Sequence, residues 1–424
     1  MFQLILLLKI QQSNLTNSSG NRVIFLLPLF YLRRPVMDKN NNHDLTRTIN
    51  LKAVTKELFN HSAISRADIA RNTGLHKSTI SSLFKELDDR NYIKRIGRGS
   101  STESGGRKPE IYRFNENYGY VACFNITYAH LHIMFLNMAG HELSYHRIDL
   151  ANHEILTVMN LINQALEKAK DKYATERGLL GISFSIHAVV DHNKVIHSPY
   201  FPLNGIDLRE YYEKHYGVPV LIENEANLAA IFERDYANQS TPKNFIVLSV
   251  HRGPGIGIIA NHQLFSGFRG MVGELGSVKV PNQQGKLQEV GDYCSVDFIQ
   301  QQLEKATGHS NLSYREIHQL TRHPNAKVEK VLNNTVEIFS QLIINLTYLY
   351  GPERIYINSP LLEVMPAFTL KLNKKLQEYE YQVPLKIING SQYVSLLGAG
   401  ALIIRHVLGL ENVALKFQWS RKID

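Results

Sequence analysis

Residues 64–88 read ISRADIARNTGLHKSTISSLFKELD and predict two helices joined by a tight turn. Ser65 has the position of an N-cap, with Asp68 three residues later in the place of a capping-box acid. The first helix ends before Gly74, whose backbone freedom permits the sharp turn into the second. With the apolar spacing of Leu51, Val54 and Leu58 upstream, the pattern is typical of a helix-turn-helix.

The second of these helices, predicted over residues 76–88, has two different faces. At about 100° per residue, its apolar side consists of Ile80, Leu83, Phe84 and Leu87. Short hydroxyls and lysines suit close approach to base edges and phosphates. The residues predicted to contact double-stranded DNA are Lys77, Ser78, Thr79, Ser81, Ser82 and Lys85. The alternative is an ordinary polar surface helix, and the preceding turn favours DNA recognition.

Residues 92–98 and 110–114 read as two short strands around a glycine-rich basic loop. Within this loop, Arg107 and Lys108 follow two glycines, which let a basic tip approach a nucleic-acid backbone closely. An arginine in such a loop can enter a narrow minor groove. We therefore predict a wing that contacts DNA, and the alternative is a flexible basic linker.

The charge distribution also favours a polyanionic partner for the N-terminal part. The chain has 424 residues, 47 Lys and Arg against 38 Asp and Glu. Residues 37–113 carry 15 basic and 9 acidic side chains, whereas the sequence after residue 113 is close to neutral. Only two cysteines are present, which excludes a disulfide framework and a cysteine-rich zinc module.

Residues 1–36 contain two apolar stretches, 2–8 and 23–32, and Pro28 interrupts the longer one. Neither reaches the roughly 20 residues that a membrane-spanning helix requires. We interpret Met37 as the biological start and residues 1–36 as a non-native N-terminal extension. The alternative is a membrane-associated leader. Nothing downstream predicts a membrane protein.

After residue 113 the sequence alternates between strand and helix patterns, which predicts an α/β domain with a weak internal repeat of two lobes. Duplicated lobes of this kind enclose a ligand cleft. Two segments are predicted to line it. The first is IENEAN, residues 222–227, at a strand-to-helix junction, and the second is the glycine-rich sequence between residues 253 and 277.

These motifs together resemble the ROK proteins (repressors, open reading frames, kinases), and within them the helix-turn-helix sugar repressors. The resemblance covers residues 44–405 and is carried by residues 64–75, GGRKP at 105–109, residues 223–227 and residues 253–276. It implies a winged helix-turn-helix domain, residues 37–113. It also implies a two-lobed actin-like, hexokinase-type domain, residues 114–424, that binds sugar and dimerises.

Departures from the kinase pattern indicate that the chain is not an enzyme and binds no ATP. The kinases' Asp-x-Gly-Gly-Thr phosphate loop is replaced by NITYA, residues 125–129. Without the glycines and the carboxylate, this turn has neither the room for a phosphate nor the ligand for its metal. Pro254 replaces the threonine of the second phosphate loop, and Glu225 stands where the kinases have their catalytic Asp. No catalytic residue is predicted.

The zinc site that the resemblance would imply is also missing its ligands. Its histidine falls on Ser277, and its three cysteines fall on Gln288, Val290 and Ser295. Cys294 is one position away from the last of these, so we predict no zinc and interpret Cys294 as a buried apolar residue. His130 and His132 are interpreted as structural.

The sequence therefore predicts a cytoplasmic, dimeric transcriptional repressor whose operator binding responds to a monosaccharide. The residues predicted to bind sugar are Asn204, Asn224, Glu225, Glu274 and Asp297. The Asn-Glu pair resembles the xylose-type repressors more than the glucose-binding members, so D-xylose is the expected effector. One alternative is a sugar kinase with a DNA-binding arm, and another is a repressor controlled by a protein partner or a phosphorylated sugar.

Overall fold

The computed structural model describes residues 39–99, 108–199, 201–236, 242–281 and 284–419, with side chains from residue 44 onward. The proposed N-terminal extension, residues 1–36, and the predicted wing residue Arg107 lie outside the described residues.

The chain forms two compact units, residues 1–49 and residues 50–424. From the first unit the structure describes the beginning of one helix, and all other elements belong to the second unit. The domain division at residues 113 and 114 stays a prediction.

The N-terminal elements are three helices and a small sheet. They are α1 (Lys39–Asn60), β1 (Ile64–Ser65), α2 (Arg66–Thr73), α3 (Lys77–Asp89), β2 (Ile93–Arg98) and β3 (Glu110–Phe114). The sheet order is β1-β3-β2, with both pairings antiparallel. This is the predicted helix-turn-helix followed by the two strands of a wing.

The local signals in the sequence act here as expected. Ser65 and Asp68 form a reciprocal capping box at the start of α2, and Gly74 ends that helix at φ 69° in the left-handed region. The apolar side of α3 is fully buried, together with Val54 and Leu58 of α1. The predicted amphipathic pattern is thus confirmed.

The first lobe lies between residues 120 and 224. Its elements are β4 (Tyr120–Ile126), β5 (His130–Asn137), β6 (Glu142–Asp149), α4 (Ile155–Lys172), β7 (Leu179–Ile186), β8 (Val189–Asp191), β9 (Lys194–His197), α5 (Leu208–Tyr216) and β10 (Val220–Asn224). Its main sheet has the order β10-β7-β4-β5-β6. Strands β4, β7 and β10 are parallel, and β5 and β6 continue the sheet as an antiparallel meander.

The second lobe repeats this topology. Its strands are β11 (Phe245–Val250), β12 (Pro254–Ala260), β13 (Gln263–Leu264), β14 (Lys279–Pro281), β15 (Leu287–Glu289), β16 (Arg354–Asn358) and β17 (Leu385–Ile387). Its helices are α7 (Gly291–Cys294), α8 (Val296–Thr307), α9 (Tyr314–Arg322), α10 (Ala326–Tyr350), α11 (Pro360–Glu363) and α12 (Pro366–Glu378). The main sheet, β13-β12-β11-β16-β17, has the same sequence of antiparallel and parallel pairings. The predicted internal repeat is confirmed.

Two further helices, α6 (Glu225–Tyr236) and α13 (Ser391–Val407), pack against each other between the two main sheets. Helix α13 covers β4 and β7, and α6 covers β11 and β12. Glycines permit this close approach. A Cβ at Gly398 would lie 2.0 Å from the Leu228 carbonyl oxygen, and one at Gly257 would lie 2.1 Å from the Ala226 carbonyl oxygen.

A buried ion pair joins the ends of these two helices. The Arg405 guanidinium donates from Nε and Nη2 to the two carboxylate oxygens of Asp235, at 2.8 and 2.7 Å. Arg405 also donates to the carbonyl oxygens of Leu410 and Val413. This single side chain therefore fixes the chain segment that follows α13 as well as the contact between α6 and α13.

Among the described residues, no helix is both long enough and apolar enough to span a lipid bilayer.

We expect Asp235→Ala to lower the free energy of unfolding by about 3–5 kcal/mol, because it leaves the buried Arg405 charge without its carboxylate. Lys375→Ala is the matched control, since its ion pair with Glu337 at 3.2 Å is solvent-exposed. Urea denaturation of both variants measures the difference. Similar midpoints for the two variants would contradict a structural role for the buried pair.

Candidate functional site

The carboxyl ends of the parallel strands of both sheets meet at the first residue of α6. Strand β10 runs directly into α6 at Glu225, and the side chains at the ends of β11 and β16 contact that residue. Ligands of open α/β sheets bind at the carboxyl ends of parallel strands. This junction is therefore the candidate effector site.

Glu225 is buried and has partners from the second lobe on both of its oxygens. Ser249 Oγ at the end of β11 donates to Oε2 at 2.7 Å, and Asn358 Nδ2 at the end of β16 donates to Oε1 at 2.9 Å. His251 Nε2 lies 3.3 Å from Oε1. Burial alone would raise the pKa of Glu225, but the charges of His251 and His187 and the bond from Ser249 outweigh it and lower the pKa to about 2. The side chain is ionised at neutral pH.

Further polar side chains lie near the carboxyl ends of the first lobe's parallel strands. Asn125 of β4 and Ser185 of β7 are neighbours in the strand register, and Asn125 Nδ2 donates to Ser395 Oγ of α13 at 3.0 Å. Several buried polar atoms near the junction have no hydrogen-bond partner among the described residues. They are Asn125 Oδ1, Ser185 Oγ and Asn358 Oδ1. Buried polar atoms without partners are the groups that the hydroxyls of a bound sugar would satisfy.

Asn224, predicted to bind sugar, has both amide atoms engaged by the protein. Its Oδ1 accepts from the backbone N–H of Ala226 at 2.8 Å and of Asn227 at 3.4 Å, which caps α6. Its Nδ2 donates to the Ala188 carbonyl oxygen at 2.9 Å. Asn224 therefore positions Glu225, and a sugar-binding role remains a prediction.

Glu274 lies on the glycine-rich segment that packs beside the start of α6. The Ile256 N–H donates to the Gly273 carbonyl oxygen at 2.9 Å, which ties this segment to β12. Burial raises the pKa of the Glu274 carboxyl, and nearby His197 partly opposes the shift. The Glu274 side chain lines an open cavity of the second lobe, and no hydrogen bond or ion pair joins it to Glu225 within the described residues, so its sugar-binding role stays a prediction.

The remaining two predicted residues lie in different surroundings. Asp297 forms an ion pair with Arg252 at 3.0 Å, and the Val296 N–H donates to the His251 carbonyl oxygen at 2.8 Å. Asn204 lies at φ 49° in an exposed turn before α5. No hydrogen bond or ion pair joins Asn204 to the other four predicted residues within the described part of the chain.

Sequence reasoning missed two histidines of this site. The rings of His187 and His251 lie edge to face with centroids 5.2 Å apart, and burial lowers the pKa of His187 to about 4. His251 directly follows β11 and precedes the glycine-rich loop. This position in the sequence could have indicated that it belongs to the site. His132, interpreted as structural, accepts or donates a bond with Tyr145 at 2.8 Å, and burial, followed by neighbouring His130, lowers its pKa to about 4.

The turn that replaces the kinase phosphate loop is filled by side chains. The Arg252 guanidinium lies 3.9 Å from the centroid of the Tyr128 ring. The other stacking partner of Tyr128 is His153, with ring centroids 3.8 Å apart. Thr127 closes the turn by hydrogen bonds with the backbone of His130. Residues from both lobes therefore occupy this position.

The residues at the family's zinc positions have structural surroundings. Val290 and Cys294 are buried in the apolar core of the second lobe, and Ser295 caps α8 through the Phe298 N–H. Ser277 is exposed. The described residues contain no group of three or more His, Cys, Asp or Glu side chains suited to hold a metal ion.

The predicted DNA face is solvent-accessible. Thr79 is partly buried, and the other members on α3 are exposed, namely Lys77, Ser78, Ser81, Ser82 and Lys85. Ser81 Oγ donates to the Lys77 carbonyl oxygen at 2.9 Å, which leaves its oxygen lone pairs available. Lys108 is also exposed.

Comparisons with known proteins agree with this architecture. A family model described as "ROK family" matches residues 122–406. The xylose repressor of Lactiplantibacillus pentosus is 33% identical over 376 residues, which are 88% of this chain and 96% of that protein.

Two solved structures share the fold. One is a ROK family transcriptional regulator described as a homolog of the E. coli MLC protein, with a TM-score of 0.69, 18% identity, and coverage of 86% of this chain and 98% of that one. The other is a ROK family glucokinase from Streptomyces griseus in complex with glucose and AMPPNP, with a TM-score of 0.59, 16% identity, and coverage of 67% and 99%.

The family match covers most of the two-lobed domain, and the relative at 33% identity extends over the helix-turn-helix as well. The chain belongs to the ROK family, and within it is similar to the xylose repressors.

Proposed function

We propose that this protein is a sugar-responsive, DNA-binding transcriptional repressor of carbohydrate utilisation genes, and that its effector is D-xylose. The observation that carries the proposal is the exposed Ser and Lys face of α3, at the position of a recognition helix. The same chain contains a two-lobed domain with a polar site between the lobes. The similarity to a xylose repressor over most of both chains supports the same function.

A sugar kinase with a DNA-binding arm is the principal alternative, since the fold is shared with a glucokinase. Two observations favour the repressor. The turn at residues 125–129 has no glycine, and the stack of Arg252 on Tyr128 fills the position of a phosphate loop. Pro254 has neither the hydroxyl nor the N–H of the threonine it replaces.

The proposed effector site is the polar junction around Glu225. Neutral hydroxyls suit it better than a phosphate, because an ionised carboxylate at its centre would repel a second anion. This argues against the alternative of a phosphorylated sugar as effector. Control by a protein partner is the remaining alternative. Measured binding of the free sugar would distinguish it from control by a sugar.

The proposal includes a homodimer in the cytoplasm, since a two-fold-symmetric regulator matches the half-sites of an operator. A surface of the second lobe supports the dimer. An open cavity of about 1100 Å³ lies between the end of α10 and the segment containing Met271, and its lining combines apolar side chains with polar ones such as Gln341 and Asn345. Beside it, Tyr348 and Leu349 are 88% and 73% exposed.

Glu225→Ala should abolish release of the operator by xylose while operator affinity in the absence of sugar stays unchanged. The substitution removes the acceptor at the centre of the site, whereas the DNA face is on α3. Calorimetric titration with xylose, paired with gel-shift titration at saturating sugar, measures both effects. Glu378→Ala, an exposed carboxylate on α12, is the matched control and should respond as the wild type.

The same preparations test the kinase alternative. Incubation with ATP and xylose or glucose should yield no sugar phosphate. Turnover would contradict the repressor-only proposal, and continued operator release by Glu225→Ala would place the effector site elsewhere.

Variants of the DNA face should separate phosphate contacts from base contacts. Lys85→Ala should weaken binding to all sequences and reduce the salt slope by about one, whereas Ser82→Ala should change the preferred operator sequence. Arg107→Ala should weaken binding most at A·T-rich flanks. Salt-dependent gel-shift titrations on an operator panel measure these effects, with exposed Lys374→Ala on α12 as the control. Unchanged salt dependence of DNA binding in Lys85→Ala would contradict the assignment of α3 to the DNA interface.

Tyr348→Asp should convert the dimer into a monomer at micromolar concentration, because it places a charge on the apolar surface beside the cavity. Sedimentation velocity measures the change. Leu370→Asp, a similarly exposed apolar residue on α12, is the control and should remain dimeric. A dimeric Tyr348→Asp protein would locate the interface on another surface.

A further inference from the structure

One side chain approaches the Glu225 carboxylate from the direction of the former phosphate loop. His251 is the first residue after β11, and two residues later the chain enters Gly253-Pro254-Gly255. Its Nε2 lies 3.3 Å from Glu225 Oε1. Its ring is held by His187 at 5.2 Å, and its carbonyl oxygen accepts from the Val296 N–H. The position of His251 is thus fixed from both lobes.

In a kinase with this fold, the space between this carboxylate and the phosphate loop would hold the hydroxyl that accepts the phosphoryl group. In a phosphoryl transfer, the accepting hydroxyl must lie within hydrogen-bond distance of the base and in line with the phosphate. A carboxylate base at position 225 would therefore have the acceptor hydroxyl on the side of the phosphate loop. In an aldohexose pyranose the exocyclic hydroxyl is carried by the C5 hydroxymethyl group. The His251 imidazole lies 3.3 Å from the Glu225 carboxylate and two residues before Gly253, where the second phosphate loop of the kinases begins.

We propose that His251 is a specificity-determining residue that fills the space of a hexose hydroxymethyl group, so that the site accepts a pentopyranose and excludes the corresponding hexose. The inference rests on the proposed function and refines its effector site. Xylose and glucose are the matched ligands, because they differ only by the hydroxymethyl group at C5.

Two other features act in the same direction. Glu225 has one methylene more than the aspartate of the kinases, which leaves less room beside the carboxylate. Asn125 Oδ1 and Asn358 Oδ1 remain as buried acceptors without partners, which suits the ring hydroxyls that the two sugars share. His251 therefore determines the size of the sugar that the site accepts, and the two asparagines provide acceptors for its ring hydroxyls.

The test is calorimetric titration of the full-length protein with xylose, 6-deoxyglucose and glucose. The wild type should bind xylose at least ~10-fold more tightly than glucose, with 6-deoxyglucose between them, as expected for differences of a methyl and a hydroxymethyl group. His251→Ala should narrow the ratio of xylose to glucose affinity by ~10-fold or more, through a gain in glucose affinity. His192→Ala, a fully exposed histidine, is the control and should keep the wild-type ratio.

The outcomes distinguish this inference from the proposed function. An unchanged ratio in His251→Ala, or an equal loss of both sugars, overturns the role of His251 while leaving a xylose-responsive repressor intact. A wild type that binds no xylose overturns the proposed effector and this inference together. Operator binding of each variant confirms its folding. If His251→Ala does not fold, the smaller polar side chain of His251→Asn is used, and unchanged glucose affinity in that variant also overturns the proposal.

Discussion

The close contact of α6 with α13 and β12 is the constraint on which the rest of the structure depends. It brings helix backbone within a few ångströms of neighbouring backbone, and only glycine fits at positions 257 and 398. Because α6 is held this tightly, its first residue has a fixed position at the junction of the two sheets. A helix kept further away by a side chain at either position would move Glu225 away from Ser249 and Asn358.

A buried carboxylate at this junction links the arrangement of the two lobes to the charge of the site. Glu225 remains ionised because groups from the second lobe hold it, while its backbone continues from a strand of the first. Separating the lobes would leave this charge without partners, at an energetic cost of several kcal/mol. A neutral polyol that adds hydrogen bonds at the same place therefore acts on the relative stability of the lobe arrangements.

Local features of the sequence predicted local structure well. Contacts between side chains of distant segments could not be predicted from the sequence. The capping box at Ser65, the buried side of α3 and the duplicated sheets follow from spacing and turn residues. The sequence also predicts that residues 222–227 and 253–277 line a ligand cleft, and this stays a prediction. The sequence could not indicate that the Asn224 side-chain amide caps α6, or that Asp297 forms an ion pair with Arg252. Those contacts depend on the folded geometry of two lobes.

A series of contacts also connects the junction around Glu225 with the helix-turn-helix elements of the second unit. Helix α13 contacts the first sheet through Ser395, and Arg405 in its last turn holds the segment after it. That segment continues to Phe417, whose ring packs on the Phe59 ring with centroids 5.0 Å apart. The backbone of the segment also forms hydrogen bonds with both side-chain amide atoms of Asn60 at the end of α1. The packing is therefore continuous from Glu225 to the helix that supports α2 and α3. Continuity alone transmits nothing, because an effector shifts an equilibrium only by its different affinities for two states. Helix α6, which carries the carboxylate, and helix α13, from which the connection to α1 starts, share one tightly packed contact, so a difference between two states at that contact would reach both.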